Sequence, residues 1–293
     1  MANLKEVRNR ISSVGSIMQI TSAMKMVSAS KLRRAQNTII SLRPYSALFT
    51  EVIGKIMASD NDLSNSEYGK REKEEKILLL VLTSNKGLCG GFSSNIIKAT
   101  KRRIDEIRLK ERNAKIEIYS FGKKSSEFFN KQKEISLYGT NDEIWDNFSF
   151  ENVSAIGNKL MQEYKNKRFD RVEIIYNQFK NSATQILTNE IFLPVQVKSK
   201  ENNKSNDDKI IFEPSFDEVK NNIIPQSLRN QIYKCFLDSF ASEHGARMTA
   251  MHLATDNAQN LLKDLKLSYN KARQAAITNE IIEISSGAEA LNE

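Results

Sequence analysis

The sequence predicts an α/β protein: a long antiparallel coiled coil of the N- and C-terminal helices, plus a central α/β domain with a mostly parallel sheet. Three observations predict it. Positions spaced three and four apart from Leu4 to Ile56, most of them apolar, hold one register without a slip. A second such run, free of proline, extends from Gln226 to Ser286. Between them short strand-like runs alternate with helical ones, the pattern of a layered α/β structure. The segments expected are 1–58, 76–215 and 226–287, the first and last pairing as one discontinuous domain.

The first helix carries its seam on Leu4, Val7, Ile11, Val14, Met18, Thr21, Lys25, Ser28, Leu32, Ala35, Ile39, Leu42, Ser46, Phe49, Ile53 and Ile56. Twelve of these sixteen positions are apolar, a coiled-coil spacing of 3.5 on average. Asn3 with Glu6 has the form of a capping box. Such a helix is roughly 80 Å long and needs a partner for its seam and a covering for its outer face. At Thr21, Lys25 and Ser28 the seam turns polar, and small residues surround Met24, Met26 and Val27. This stretch is either a loosely packed turn or a surface for close approach by another molecule. Lys31, Arg33 and Arg34 follow at once and favour contact. Pro44 is expected to bend or interrupt the helix.

Residues 59–75 read as a solvated linker. Ile77 to Leu82 reads as a strand buried on both faces, followed by a loop through Gly87-Leu88-Cys89-Gly90-Gly91 and a helix from about Ser93 to Arg112. Strands are expected at 115–121, 171–179 and 183–197, and helices near 123–131 and 149–167. The polar run 199–209 predicts a mobile loop, and Ile210 to Phe212 a short edge strand. Pro214 and Pro225 bracket a short helix. The last helix repeats the seam at Leu237, Phe240, Met251, Ala254, Ala258, Leu261, Leu265, Ala272, Ala275 and Ile282, with Gly287 as its C-cap.

Composition narrows the function. The longest clean apolar run, Ile77 to Leu82, has six residues, too few for a membrane-spanning helix. The helical pattern starts at Leu4, which predicts a cytoplasmic protein without a signal or transit peptide. Two distant cysteines, Cys89 and Cys235, fit a reducing compartment. The net charge is +8, and residues 1–59 hold nine Lys and Arg against two acids. A basic helix of this kind implies an acidic partner: nucleic acid, an anionic membrane surface or a protein.

No catalytic constellation emerges, and no catalytic residue, cofactor or metal is expected. The Gly87, Cys89, Gly90, Gly91 loop sits where a phosphate-binding loop would, after a strand and before a helix. It matches neither G-x-G-x-x-G nor G-x-x-x-x-G-K-[ST], so a tight structural turn is the simpler reading. No histidine lies in the α/β segment to activate Cys89. His244 and His252, the only histidines, stand two turns apart with no cysteine near them. Two other classes are weighed: a nucleotide-using α/β enzyme dimerising through its long helices, and a coiled coil on nucleic acid. The latter lacks aromatic interleaving and a reading motif.

Four segments together point elsewhere. Ile20 to Lys31, Gly87 to Gly91, Arg247-Met248-Thr249-Ala250-Met251 and Tyr269 to Glu280 closely resemble the gamma (central stalk) subunit family of F-type ATP synthases, bacterial type. The resemblance spans nearly the whole chain. It implies a coiled-coil shaft inside a hexamer of three alpha and three beta subunits, with the α/β domain and the epsilon subunit on the membrane-sector c-ring. Proton flow would turn the shaft and drive ATP synthesis at the beta subunits, while this subunit catalyses nothing, regulates ATPase activity, and lies peripherally on the cytoplasmic face of the cell membrane. The resemblance implies no nucleic acid and no direct membrane insertion. Arg273 and Gln274 are then expected to meet a beta-subunit loop. Met24, Arg247, Thr278 and Glu280 belong to the coupling region, and Lys31, Arg33 and Arg34 face acidic loops. Asn85 stands where the family often has Asp, and 199–209 is an insertion.

Overall fold

The computed structural model describes residues 4–59, 67–71, 73–111, 114–132, 135–195 and 215–290. The Asn3 cap, the 199–209 loop and the 210–212 strand lie outside these residues. The elements are α1 (Leu4–Ser59), β1 (Lys76–Leu82), α2 (Phe92–Lys110), β2 (Lys115–Phe121), α3 (Lys123–Phe129), β3 (Ser136–Thr140), α4 (Phe150–Lys165), β4 (Arg171–Phe179), β5 (Gln185–Leu193) and α5 (Phe216–Ala290). The chain divides into two compact units, Met1–Ala29 with Arg247–Glu293, and Ser30–Ala246.

In the first unit the terminal helices pair antiparallel. Thr21 and Thr255 meet hydroxyl to hydroxyl at 2.9 Å, and Lys25 Nζ lies 3.4 Å from His252 Nδ1. Val7, Met251 and Ala258 are buried between them. The polar stretch of the seam is therefore answered by polar residues on the other helix. Ser28, also buried, turns back on its own helix and donates to the Met24 carbonyl at 2.8 Å. Polar seam positions of this kind fix register at some cost in stability.

The second unit holds a five-stranded sheet in the order β3-β2-β1-β4-β5, parallel except for the β4–β5 pair. β1 is central, and Ile77 through Leu82 are fully buried. Side chains alternate across the pleat. Leu78, Leu80 and Leu82 therefore pack in a core with α4 and with Ile224, Leu228, Ile232 and Phe236 of α5. Ile77, Leu79 and Val81 face Ile96, Ile104 and Ile107 of α2. Each such side chain contributes about 1.5–3 kcal/mol of burial. Ser149 caps α4 by accepting from the Asn152 N–H at 3.2 Å. Gly157 lets α4 approach α5: an added Cβ would lie 3.2 Å from Ile232 Cγ2.

Several boundaries differ from the sequence reading. α5 starts at Phe216 and runs through Pro225, which the reading took as the end of a separate short helix. A proline inside a helix costs about 3 kcal/mol, and buried Ile224 and Leu228 on either side offset it. α1 likewise continues through Pro44, and α5 passes Gly287 without capping there. β3 was not foreseen; its pattern is short and half-buried, with Gly139 inside it. The segment read as solvated linker is pinned where it is described. Tyr68 is buried in the sheet's core, its carbonyl accepts from Val195 N–H at 3.1 Å, and Tyr164 Oη donates to the Gly69 carbonyl at 2.8 Å.

Candidate partner-binding surfaces

The seam of α5 in the first unit runs through Met251, Thr255, Ala258, Leu262, Leu265, Tyr269, Ala272 and Ala276, all buried or half-buried. Sequence counting placed Leu261, Ala275 and Ile282 on it, but these are exposed. Leu262 and Ala276 take the places of the first two. For Ile282 the cause is different. Counted along the Thr21–Thr255 rung, Leu4 of α1 stands opposite Ala272. Beyond that point no described residue of α1 stands opposite α5. Ile277, Ile281 and Ile284 (48%, 61% and 72% exposed) then form an uncovered stripe at i, i+4 and i+7. On α1, Ile17, Ile20, Met26 and Val27 are also exposed. Exposed apolar stripes are candidate contact surfaces.

The residues expected at partner contacts fall out as follows. Arg273, Gln274, Thr278 and Glu280 are all exposed on α5, and the Thr278 hydroxyl donates to the Gln274 carbonyl at 2.9 Å. Met24 is half-buried on α1. Arg247 is buried at 6% exposure, unlike the α5 residues named above. Lys31, Arg33 and Arg34 belong to the second unit and are exposed.

The Gly87–Gly91 loop is a tight, internally bonded turn. Leu88 (φ 62°) and Gly90 (φ 59°) are both left-handed. That conformation is ordinary for glycine and uncommon for leucine. Leu88 is 63% exposed at the tip, while Cys89 is buried. Beneath it the Ser84 and Ser93 hydroxyls meet at 2.7 Å, and Ser84 Oγ lies 3.5 Å from Cys89 Sγ. The N–H groups of Phe92 and Asn95 donate to the carbonyls of Cys89 and Gly91 at 3.3 and 2.9 Å. The Phe92 donor is thereby used within the turn itself, and the Asn95 bond is the first i to i−4 bond of α2. Sequence reasoning singled out the glycines and missed Leu88, whose backbone angle has no sequence signal.

Asn85 has a definite task. Its Nδ2 donates to the Asp142 carbonyl at 2.8 Å, and its Oδ1 accepts from Lys123 N–H at 3.2 Å. Asp142 Oδ1 in turn accepts from Gly122 N–H at 3.2 Å and from the Ser126 hydroxyl at 2.9 Å. Only an amide can make both Asn85 bonds. Asn85→Asp would set a carboxylate oxygen against a carbonyl oxygen, and is expected to cost about 1–3 kcal/mol in chemical denaturation.

Among the described residues, no helix is long and apolar enough to cross a membrane, and no group of three or more metal-type ligands forms. A family model described as ATP synthase matches residues 3–291. The ATP synthase gamma chain of Christiangramia forsetii is 52% identical over 292 residues, covering all of both chains. The chain belongs to the ATP synthase gamma chain family. The gamma chain of Flavobacterium johnsoniae is 50% identical, again over the whole of both chains. Among solved structures, a chain from the central stalk and c-ring of the Tetrahymena thermophila mitochondrial ATP synthase has a TM-score of 0.60 at 25% identity, covering 80% of this chain and 99% of that one. A chain from the Euglena gracilis mitochondrial ATP synthase reaches 0.66 at 21% identity, covering 98% and 94%, and shows the same fold.

Proposed function

We propose that the chain is the central rotor shaft of an F-type ATP synthase, coupling proton flow through the membrane sector to ATP synthesis at the beta subunits and regulating ATPase activity. The observation that carries this is the end of α5, where Ile277, Ile281 and Ile284 run uncovered past the end of the helix pair. A bare apolar helix end requires a sleeve, and a hexamer of alternating alpha and beta subunits supplies one. The excess of Lys and Arg on α1 supports acidic loops as neighbours.

The partners are three alpha and three beta subunits, epsilon and the c-ring. The chain sits peripherally at the cytoplasmic face of the bacterial cell membrane and performs no catalysis itself. Arg273 and Gln274 contact a beta loop. Met24, Arg247, Thr278 and Glu280 act in coupling, and Lys31, Arg33 and Arg34 face acidic residues. Native mass spectrometry of complexes purified on this chain tests the assignment. Three alpha, three beta and one copy of the chain is the expected mass, and a lone monomer or homodimer would overturn it. Replacing Arg273 and Gln274 together by alanine is expected to lower proton-driven ATP synthesis in membrane vesicles several-fold, since charged hydrogen bonds contribute about 1.5–3 kcal/mol each. Unchanged synthesis would remove these two residues from the coupling path.

A further inference from the structure

In the second unit, the connector between β3 and α4 lays a set of aromatic rings against α5. Trp145 and Phe236 form the inner layer, and both are buried. In the outer layer Phe148 stacks on Phe240 with centroids 5.1 Å apart and planes at 5°, and on Tyr233 at 5.7 Å and 11°. Phe150, at the start of α4, meets Tyr233 edge-on at 5.2 Å. The inner rings close the core, and the outer ones stay open to water. Phe148, Tyr233 and Phe240 are half-buried, and Phe150 is 38% exposed. Tyr233 and Phe240 stand two turns apart on α5, so the outer rings form a row roughly 10 Å long.

The margin of this row is acidic. Residues 135–158 hold four acids and no lysine or arginine, in a chain whose net charge is +8. Asp142 is bonded inward to Gly122 N–H and the Ser126 hydroxyl. Glu143, Asp146 and Glu151 are exposed, and none forms an ion pair among the described residues. Burial and the charge of Glu151 both push the Tyr233 hydroxyl up, which places Glu151 beside that ring.

We propose that this row docks an amphipathic helix of another protein subunit, one whose apolar stripe is flanked by lysine or arginine. Apolar residues three and four apart on such a helix recur over the length of the row and pack against the rings. Lysine or arginine at their margins reaches the three carboxylates and is attracted to the ring faces. Rings at the centre with charge around them have the make-up of an interface hot spot. Nucleic acid or an anionic lipid surface would meet the carboxylates with like charge. The inference rests on the reading of the chain as one subunit of a larger complex.

The test is hydroxyl-radical footprinting of the complex purified on this chain and, separately, of the isolated full-length chain. Peptides carrying Phe148, Phe150 and Tyr233 are expected to be oxidised several-fold more slowly in the complex. A Glu143→Lys, Asp146→Lys, Glu151→Lys variant reverses the margin and leaves the rings in place. Its rings are expected to lose that protection, or the partner to be missing from the complex by native mass spectrometry. All three positions are exposed, and circular dichroism checks that the fold is kept. Rings oxidised as fast in an intact complex as in the isolated chain would overturn the docking site and leave the shaft reading standing. Protection that survives the charge reversal would mean an occupant that is not basic, and would overturn it as well. A chain that enters no complex would overturn both readings.

Discussion

Gly122→Ala is expected to destabilise the second unit by about 2–5 kcal/mol, combining left-handed backbone strain with overpacking. Gly122 has φ 115° at the end of β2, a backbone angle that L side chains rarely adopt. An added Cβ would lie 2.2 Å from the Thr83 carbonyl oxygen and 2.8 Å from Thr83 Oγ1. Neither neighbour yields easily. Thr83 N–H donates to the Phe121 carbonyl at 2.7 Å, and the Thr83 hydroxyl meets that of Ser125 at 2.7 Å. Ser125 joins Ser120 at 2.6 Å in the same buried hydroxyl network. Moving the backbone would therefore break bonds between the ends of β1 and β2 and the start of α3. The check is the urea midpoint of the full-length chain. A shift corresponding to less than about 1 kcal/mol would mean that the β1–β2 end relaxes freely.

Glu173→Gln is expected to cost about 1–3 kcal/mol at neutral pH, because it takes from Arg103 and Arg171 their one fully buried carboxylate and leaves them only Glu106, Glu74 and Glu111. Glu173 is fully buried on β4. Burial pushes its carboxyl up, but hydrogen bonds from Arg103 and Asn189 and the charges of Arg103 and Arg171 outweigh it and hold the group below its usual range. The same pairing raises Arg103, with its hydrogen bond to Glu173 as the leading cause. The sign follows from linkage. A carboxyl lowered in the folded state contributes stability that is fully present above its unfolded value of about 4.3. That contribution is lost as pH falls through the lower folded value. The gap between wild type and Glu173→Gln should therefore be widest above about pH 5 and close on further acidification. Denaturation at a series of pH values reads this directly, and a gap independent of pH would mean that shape, not charge, holds the site.

The sequence carried the fold where a repeating period carried it. The α1 seam from Leu4 to Leu42, the apolar run Ile77–Leu82 of β1 and the alternation of strands and helices are all period signals, and each appears among the described residues. Single-residue events escaped. Tyr68 is one aromatic in a polar stretch, and nothing local announces that it enters the core of the sheet. The choice between Leu261 and Leu262 is one residue of helical phase, which the facing helix settles. Pro225 argued for a break because its local cost is visible, whereas the burial of Ile224 and Leu228 that offsets it is a tertiary fact. Arg273, Gln274, Thr278 and Glu280 were named by motif resemblance, and the structure shows them exposed on α5. The left-handed Leu88 and the two-way amide of Asn85 depend on backbone angles and partners distant in sequence.

The uncovered isoleucines of α5 also bear on how such a chain is made. A copy without a sleeve presents Ile277, Ile281 and Ile284 to every other hydrophobic surface in the cell. Synthesis in excess of the sleeve would leave orphans that chaperones must hold or proteases clear. Matching the output of this chain to that of its partners is thus a demand written into the last turns of one helix. Overproduction of the chain alone is expected to lower its soluble fraction, and co-production with the sleeve to raise it.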